Sequence, residues 1–173
     1  MSFSKHNVEK YMFRFERGET VTVDDKEYSL GGGHILFVLD CATFTLLSES
    51  DWGVYGYRWG VSSGETFKQL MCRIGGNYLC NKISNRIEID WEKTENNAIE
   101  AFNLYAKNKR CKKGFLIELQ FVDRNEVRFY DFMEKYVNDS EACYFHKDFP
   151  LKAKIVVAIF EKYFIPQLKK EIE

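Results

Sequence analysis

The sequence predicts an α+β fold in which a twisted antiparallel β-meander of four to five strands precedes a mainly helical C-terminal half. Two observations carry this prediction. Up to residue 62, apolar residues alternate with polar ones or form short runs between glycine-containing turns, as they do in β-strands. From residue 63 onward, the apolar spacing changes to the 3.6-residue period of amphipathic helices. Strands and helices in separate blocks are typical of a segregated α+β domain.

The bulk composition favours one domain over residues 1–173. The chain is 45% hydrophobic and 16% aromatic, and a chain of this length buries enough surface to fold without disulfides or metals. Large rings favour a sheet with a ring-rich core or interaction face. We divide the expected domain into a β-rich part (1–62), a capped helix that packs on the sheet (63–84) and a mainly helical part (85–173).

Charge and cysteine usage limit the possible environments and partners. The formal net charge is −1, so the chain lacks the global basic field of a nonspecific nucleic-acid binder, and any such binding would be local. The N-terminal residues lack a signal-peptide apolar region, and the apolar run from Ile155 to Phe160 is far shorter than a membrane span. Five cysteines without a CxxC pair indicate reduced, buried thiols. We therefore expect a cytoplasmic protein.

The strands are predicted in order from local patterns. Rings alternate with other residues at Tyr11, Phe13 and Phe15, although the same segment also fits one helical face. After a break at Gly18, two valines alternate with threonines, which predicts an edge-type hairpin. The apolar run from His34 to Leu39 predicts a central strand that is covered on both faces. Turns are expected at Gly18, Gly31 to Gly33, Cys41-Ala42 and Ser50-Asp51.

The first helix is predicted from a capping pattern followed by helical spacing. The S-x-x-E sequence from Ser62 to Glu65 resembles a capping box. Apolar residues then follow at i, i+3, i+4 and i+7, namely Phe67, Leu70, Met71 and Ile74. Gly75-Gly76 should end this helix, and the next short turn should pack Tyr78 and Leu79 on the same core.

The C-terminal half is predicted to hold three further helices and one ambiguous segment. Thr94 is expected to cap a helix that directs Ile99, Phe102 and Ala106 inward. The sequence GFLIELQFVD fits a strand or a helix. The next helix is marked by Val127, Tyr130, Met133 and Val137. In the last one, Asp148 is expected to cap, Pro150 lies in the first turn and Pro166 should kink or end the helix. Its apolar face comprises Leu151, Ile155, Ala158 and Ile159.

No motif in the sequence predicts catalysis, a metal or a cofactor. The glycines at 31–33 precede a strand rather than a helix, which indicates a hairpin loop and not a phosphate loop. Cys143 and His146 have the spacing of half a metal site, but the other half is missing. We therefore expect a protein that is not an enzyme and binds no metal or cofactor. A minority hypothesis of an enzyme would be tested by mutating His34, Cys80 and His146.

The strongest local charge feature is a basic run, Lys107, Lys109, Arg110, Lys112 and Lys113. Such a cluster can contact phosphates or an acidic groove of a protein that handles nucleic acid. It can equally be a solvated helix terminus that interacts favourably with its own dipole.

The segment DWGVYGYRWG, Asp51 to Gly60, concentrates aromatic rings. In a strand, Tyr55, Tyr57 and Trp59 share one face, which favours core packing beneath the helix that starts near Gly64. Base stacking on exposed rings remains the alternative. Trp52 lies at the entry of the strand and Arg58 on its opposite face, so these two are the candidate exposed contacts.

The order of features from Gly31 to Ser84 resembles small accessory proteins of unassigned function from tailed bacteriophages and prophages. The resemblance rests on GGGHILFVLD, DWGVYGYRWG, GETFKQLMCRI and NYLCNKIS, with a weaker likeness in KAKIVVAIFEKYFIPQLKK. It implies a phage protein in the cytosol of a bacterial host, and it supplies no catalytic residues.

The resemblance implies two functions. The first is a binding inhibitor of a bacterial defence nuclease complex, anti-CRISPR-like or anti-restriction-like. Its expected partner-binding residues are Trp52, Arg58, Lys107, Lys109, Arg110, Lys112 and Lys113, and an acidic surface such as Asp24, Asp25 and Glu27 is a further option. The alternative is a nucleic-acid-binding accessory of phage DNA metabolism, with bases stacked on Tyr55, Tyr57 and Trp59 and the basic run along the backbone.

Overall fold

The structure, a computed structural model, describes residues 7–60 and 64–172, and the chain forms two compact units. The first unit comprises Met1–Arg86 and Phe149–Glu173, and the second comprises Ile87–Asp148. Each unit has its own hydrophobic core. The single domain expected from the sequence stays a prediction. None of the helices in the described ranges is long and apolar enough to cross a bilayer.

The first unit contains a four-stranded antiparallel sheet and a separate hairpin. Its strands are β1 (Glu9–Arg14), β2 (Thr20–Val23), β3 (Lys26–Ser29), β4 (His34–Asp40), β5 (Thr45–Ser50) and β6 (Gly53–Arg58). The sheet order is β1-β4-β5-β6, while β2 pairs only with β3. The α+β class with an N-terminal antiparallel sheet is therefore confirmed, and β1 is a strand rather than a helix.

The hairpin changes the simple meander expected from the sequence. Asp24 and Asp25 both have positive φ, 48° and 61°, which is the backbone of a tight two-residue hairpin turn. This turn joins β2 to β3, so β1 pairs with β4 instead of with its neighbour in sequence. The four-stranded sheet therefore contains an inserted hairpin between its first two strands.

One face of the sheet forms the main core of the first unit. Ile35, Phe37 and Leu39 of β4 are all at most 1% exposed. The residues between them, Leu36 and Val38, are only half-buried. The expectation that β4 is central is correct, but only one of its faces is fully covered.

Two short helices follow the sheet, α1 (Phe67–Arg73) and α2 (Gly76–Ile83). The capping box of α1 is formed by Thr66 and Gln69, four residues later than expected, and Ser62 lies outside the described residues. The helical spacing of α1 is confirmed. In α2, Leu79 is buried as expected, whereas Tyr78 is 44% exposed, so the prediction of an inward-facing Tyr78 is wrong.

The second unit is helical and is closed by a short strand pair. Its elements are β7 (Glu88–Ile89), α3 (Trp91–Tyr105), α4 (Lys112–Phe121), α5 (Glu126–Tyr136) and β8 (Lys147–Asp148), with 3-10 turns at Lys109–Cys111 and Ser140–Ala142. The ambiguous segment GFLIELQFVD thus lies mostly in α4. Stacked rings of Phe102, Phe115 and Phe132 form the centre of its core.

Several details of the second unit differ from the sequence-based prediction. Asp90 caps α3, because its carboxylate accepts a hydrogen bond from the Lys93 amide at 3.0 Å. Thr94 is fully buried inside the helix, and its hydroxyl accepts a hydrogen bond from the amide of His146. In α5, Val127 is 68% exposed and Tyr130 is also exposed. The buried residues of α5 are Phe129, Phe132 and Met133.

The C-terminal helices return to the first unit. They are α6 (Leu151–Ile159), a π-helical segment (Phe160–Phe164) and α7 (Ile165–Ile172). Asp148 belongs to β8 and does not cap α6, whose cap position is Pro150, and Leu151 of the predicted apolar face is exposed. The helix does not end at Pro166. The Ile165 amide instead bonds to the Phe160 carbonyl across a wider turn, which accommodates the proline near the start of α7.

Candidate partner-binding surface

The uncovered side of the four-stranded sheet is the most distinctive surface of the first unit. Side chains alternate along each strand, so that the residues opposite the core all point to this side. We call it the outer sheet face, and it comprises Lys10, Met12, Arg14, His34, Leu36, Val38, Asp40, Thr45, Leu47, Glu49, Val54, Gly56 and Arg58.

The centre of the outer sheet face is apolar and open to solvent. Met12 is 50% exposed, Leu47 is 48% exposed and Val54 is 75% exposed. The strand register places Met12 beside Leu36 in one row, and Val38 beside Leu47 in the next. Neighbouring exposed apolar side chains of this kind mark interaction surfaces when they form one patch.

Positive charge lies on both edges of this apolar centre. Lys10 and Arg14 are on the edge strand β1, and Arg58 is on the opposite edge strand β6. The Arg58 Nε atom donates a hydrogen bond to the Thr43 carbonyl at 3.2 Å. Across residues 7–60 and 64–172, none of these three cations forms an ion pair with a carboxylate. Two acidic residues of the strands share this face: Glu49 of β5 lies between Leu36 and Val54, and Asp40 lies at the end of β4 in the row of Arg58.

Trp52 and Arg58, which the sequence pairs as exposed contacts, lie at opposite ends of β6. Trp52 is in the turn that precedes the strand, where it is half-buried and packs edge-to-face on Phe15, with 6.0 Å between ring centroids. Arg58 is exposed at the far end of the strand. The structure does not bring them together, and a binding role for Trp52 stays a prediction.

The ring face of β6 points inward, as its alternation predicts. Trp59 is 6% exposed and contacts the Phe67 ring of α1 at 5.6 Å. Tyr55 and Tyr57 are half-buried against the same core, and the Lys82 Nζ atom of α2 lies 5.1 Å from the Tyr57 ring centroid. A base-stacking surface needs exposed rings, so these three residues do not provide one.

The basic run lies in the second unit and extends from the connection after α3 into the first turn of α4. α3 ends at Tyr105, and the last two cations, Lys112 and Lys113, occupy the first turn of α4. Cations are unfavourable at a helix N-terminus, so the interpretation as a dipole-stabilised helix end is wrong for these two.

Ordinary hydrogen bonds hold part of the basic run. The Lys112 Nζ atom donates to Asn103 at 3.0 Å, and that of Lys107 donates to the Glu134 carbonyl. Lys109, Arg110 and Lys113 are exposed and have no acidic partner among the described residues. These three side chains are therefore available to an external anion.

The other candidate groups are held within the fold. Asp24 pairs with the Lys154 ammonium of α6, so it is not an unpaired acidic contact. The Nδ1 atom of His34 lies 3.2 Å from a carboxylate oxygen of Asp51. Cys80 is buried. Burial raises the pKa of the Cys143 thiol to about 11, which keeps it protonated and unreactive at neutral pH. Within the described ranges, no group of three His, Cys, Asp or Glu residues could hold a metal ion.

The sequence-based reasoning missed the apolar residues of the outer sheet face. The signal was present at Val54, which alternates with the inward-facing Tyr55, and at Leu47, which alternates with Leu46. Aromatic residues dominate the pattern of β6, and on the opposite face of that strand the pattern marks only Arg58 as a contact.

Comparison with known proteins places this α+β protein in a phage family. The chain matches the phage protein family Phage_phiTE_072 over residues 11–170. It therefore belongs to that family, and the match includes the segment from Gly31 to Ser84 that resembles phage proteins. No curated protein and no solved structure matches the chain.

Proposed function

We propose that this phage-family protein is a non-enzymatic accessory protein that binds and inhibits a bacterial defence nuclease complex of the CRISPR or restriction type. The observation that supports binding is the outer sheet face, with its exposed apolar centre at Met12, Leu47 and Val54. Apolar anchors near the centre of an interface contribute most of its binding free energy, about 2 kcal/mol or more for a hot spot. Arg58 lies on the same face, diagonal to Leu47, and can add a directed polar contact.

Family membership supports the choice of partner. A phage protein acts inside a host whose nuclease complexes attack phage nucleic acid, and a small protein without its own chemistry can oppose them by occupying a surface. The defence complex is therefore the first partner to test.

We expect the protein to raise the plating efficiency of a phage on a host that carries an active restriction or CRISPR-type system. The experiment expresses the chain in that host and in an isogenic host without the system. Val54→Asp places a charge in the apolar centre and should abolish the effect, because an unpaired charge is costly to bury. Val127→Asp is the matched control, since Val127 is a similarly exposed valine of the second unit.

The comparison of hosts and variants gives clear outcomes. Protection in the defended host alone, lost in Val54→Asp and kept in Val127→Asp, supports the proposal. Unchanged plating against a panel of restriction and CRISPR-type systems contradicts inhibition of a defence nuclease. Equal protection by both variants contradicts the role of the outer sheet face.

The alternative, a nucleic-acid-binding accessory, is favoured by one observation. Lys109, Arg110 and Lys113 are exposed and unpaired within one segment. If they contact phosphates, the affinity measured in a gel-shift titration should fall steeply as the salt concentration rises, because each phosphate contact releases a counterion. Replacing all three with Gln should reduce that slope, whereas Lys152→Gln, at an exposed lysine of α6, should not. The absence of any shift at low salt would remove this alternative.

A further inference from the structure

We propose that the outer sheet face binds a single amphipathic helix of the partner, with an apolar stripe at its centre and acidic residues along its flanks. This inference rests on the proposed function only in assuming that the partner is a protein. It adds the shape and the charge of the segment that is recognised.

The dimensions of the face fit one helix. Four strands about 4.8 Å apart and six residues long give a surface of roughly 15 Å by 20 Å. A helix is about 10 Å wide and rises about 1.5 Å per residue, so that some 14 residues would cover it. The footprint of roughly 300 Å² is well below the approximately 800 Å² per partner of a typical interface between folded proteins.

The architecture of the first unit already shows how this sheet accommodates helices. On the inner face, Phe37 stacks on Phe164 of the π-helical segment with 4.6 Å between ring centroids. The outer sheet face has the same pleated surface and an apolar centre, yet Val54 remains 75% exposed. An apolar sheet surface is stabilised when another element packs on it, and a partner helix would bury these side chains.

The cations on the edge strands favour acidic residues along the flanks of the partner helix. Lys10 and Arg14 border the apolar centre on one edge and Arg58 borders it on the other, and none is paired with a carboxylate among the described residues. Helix side chains on either side of an apolar stripe would lie over these two edges. Glu or Asp at those positions would meet the three cations, which is the complementarity that sets specificity.

The same charges disfavour two other occupants. A second copy of the chain, docked face to face, would add the three cations Lys10, Arg14 and Arg58 but only the two carboxylates Glu49 and Asp40, so that like charges would predominate and oppose association. A nucleic-acid backbone would match the cations but would leave Met12 and Val54 against a charged phosphate chain. A helix with an apolar stripe and acidic flanks matches the apolar residues of the face and the cations on its two edge strands.

The test uses two synthetic 14-residue helical peptides with the same leucine stripe at i, i+3, i+4 and i+7. One carries Glu on both flanks and the other carries Lys. In fluorescence anisotropy titrations with the full chain, we expect the Glu-flanked peptide to bind at least tenfold more tightly. Val54→Asp should weaken its binding at least tenfold, and the control Val127→Asp should leave it unchanged.

A charge-swap variant provides a second readout that does not depend on the apolar substitution. The triple variant Lys10→Glu, Arg14→Glu and Arg58→Glu should prefer the Lys-flanked peptide, and circular dichroism with thermal unfolding will confirm that each variant folds. Failure of both peptides to bind at millimolar concentration, equal affinities, or no reversal by the triple variant would overturn the inference. So would sedimentation of a dimer that Val54→Asp dissociates, because a second copy would then occupy the face.

The peptide result is separable from the host experiment. Selective binding of the Glu-flanked peptide without protection in any defended host would retain the helix site and reject the defence nuclease as partner. Protection of a defended host without selective peptide binding would retain the defence nuclease as partner and reject the helix site.

Discussion

At the scale of single residues, a polar network joins three elements of the first unit. The Lys68 Nζ atom of α1 lies 2.6 Å from the Glu9 carboxylate of β1 and 2.8 Å from the Glu171 carboxylate of α7. The Tyr11 hydroxyl lies 2.6 Å from Glu9 and 2.7 Å from Glu171. Burial, together with these carboxylates, raises the pKa of Tyr11, so it remains a donor. One cation therefore holds two carboxylates that would otherwise repel each other.

This network predicts a pH-dependent effect of Lys68→Met. Hydrogen bonds from Lys68 and then from Tyr11 lower the pKa of both Glu9 and Glu171 below 4.5. A carboxylate with a lowered pKa in the folded state stabilises the fold above its unfolded pKa and loses that contribution as the pH falls through the folded value. At pH 7 the variant should lower the free energy of unfolding by about 1 kcal/mol, a modest value because Glu9 is partly solvated.

Urea denaturation at several pH values measures the effect. The difference between wild type and Lys68→Met should be present at pH 7 and should shrink as the pH falls below about 4. Lys152→Met is the matched control, because Lys152 is exposed and has no ion pair among the described residues, and it should change stability by less than about 0.5 kcal/mol. A constant difference down to low pH would show that Lys68 acts through its packing rather than its charge.

At the scale of elements, periodicity predicted the helices better than it predicted their ends. The apolar spacing of α1 is strong because Phe67, Leu70 and Met71 are all buried on one side. Its cap was misplaced because S-x-x-E and the Thr66-to-Gln69 pair are both compatible with a capping box, and only the backbone at Thr66, with ψ 157°, selects one of them. A cap depends on that local conformation, which the order of residues does not specify.

The strands show a similar limit for the candidate site. Alternation correctly separated Tyr57 and Trp59 from Arg58, and it therefore placed Arg58 on the outer side of β6. It could not show which side the helices leave uncovered, because that depends on packing between elements distant in sequence. The outer sheet face also needs β1 beside β4, and an inserted hairpin hid this pairing from any reasoning based on neighbouring strands.

At the scale of the whole molecule, the C-terminal helices explain why the sequence suggested a single helical half. Apart from the two-residue strands β7 and β8, residues 85–172 are helical or short connections, yet α6 and α7 pack with the sheet of the first unit. Rings of the π-helical segment complete the inner face, where Phe164 stacks on Phe37, while α3 to α5 form a separate core around Phe115. Helical periodicity reveals an apolar face but not the surface against which that face packs.

The two cores predict where a large-to-small substitution will act. Phe164 and Phe115 are both 0% exposed, one in each unit, so Phe164→Ala and Phe115→Ala should each cost about 3–5 kcal/mol. In hydrogen exchange measured by mass spectrometry, Phe164→Ala should raise exchange most in residues 7–86 and 149–172. Phe115→Ala should raise it most in residues 87–148, because local stability follows the core that each amide belongs to. Phe121→Ala, at a ring that is 81% exposed, should change little. If either core variant raised exchange equally throughout the chain, the two cores would unfold as one cooperative domain, as the composition predicts.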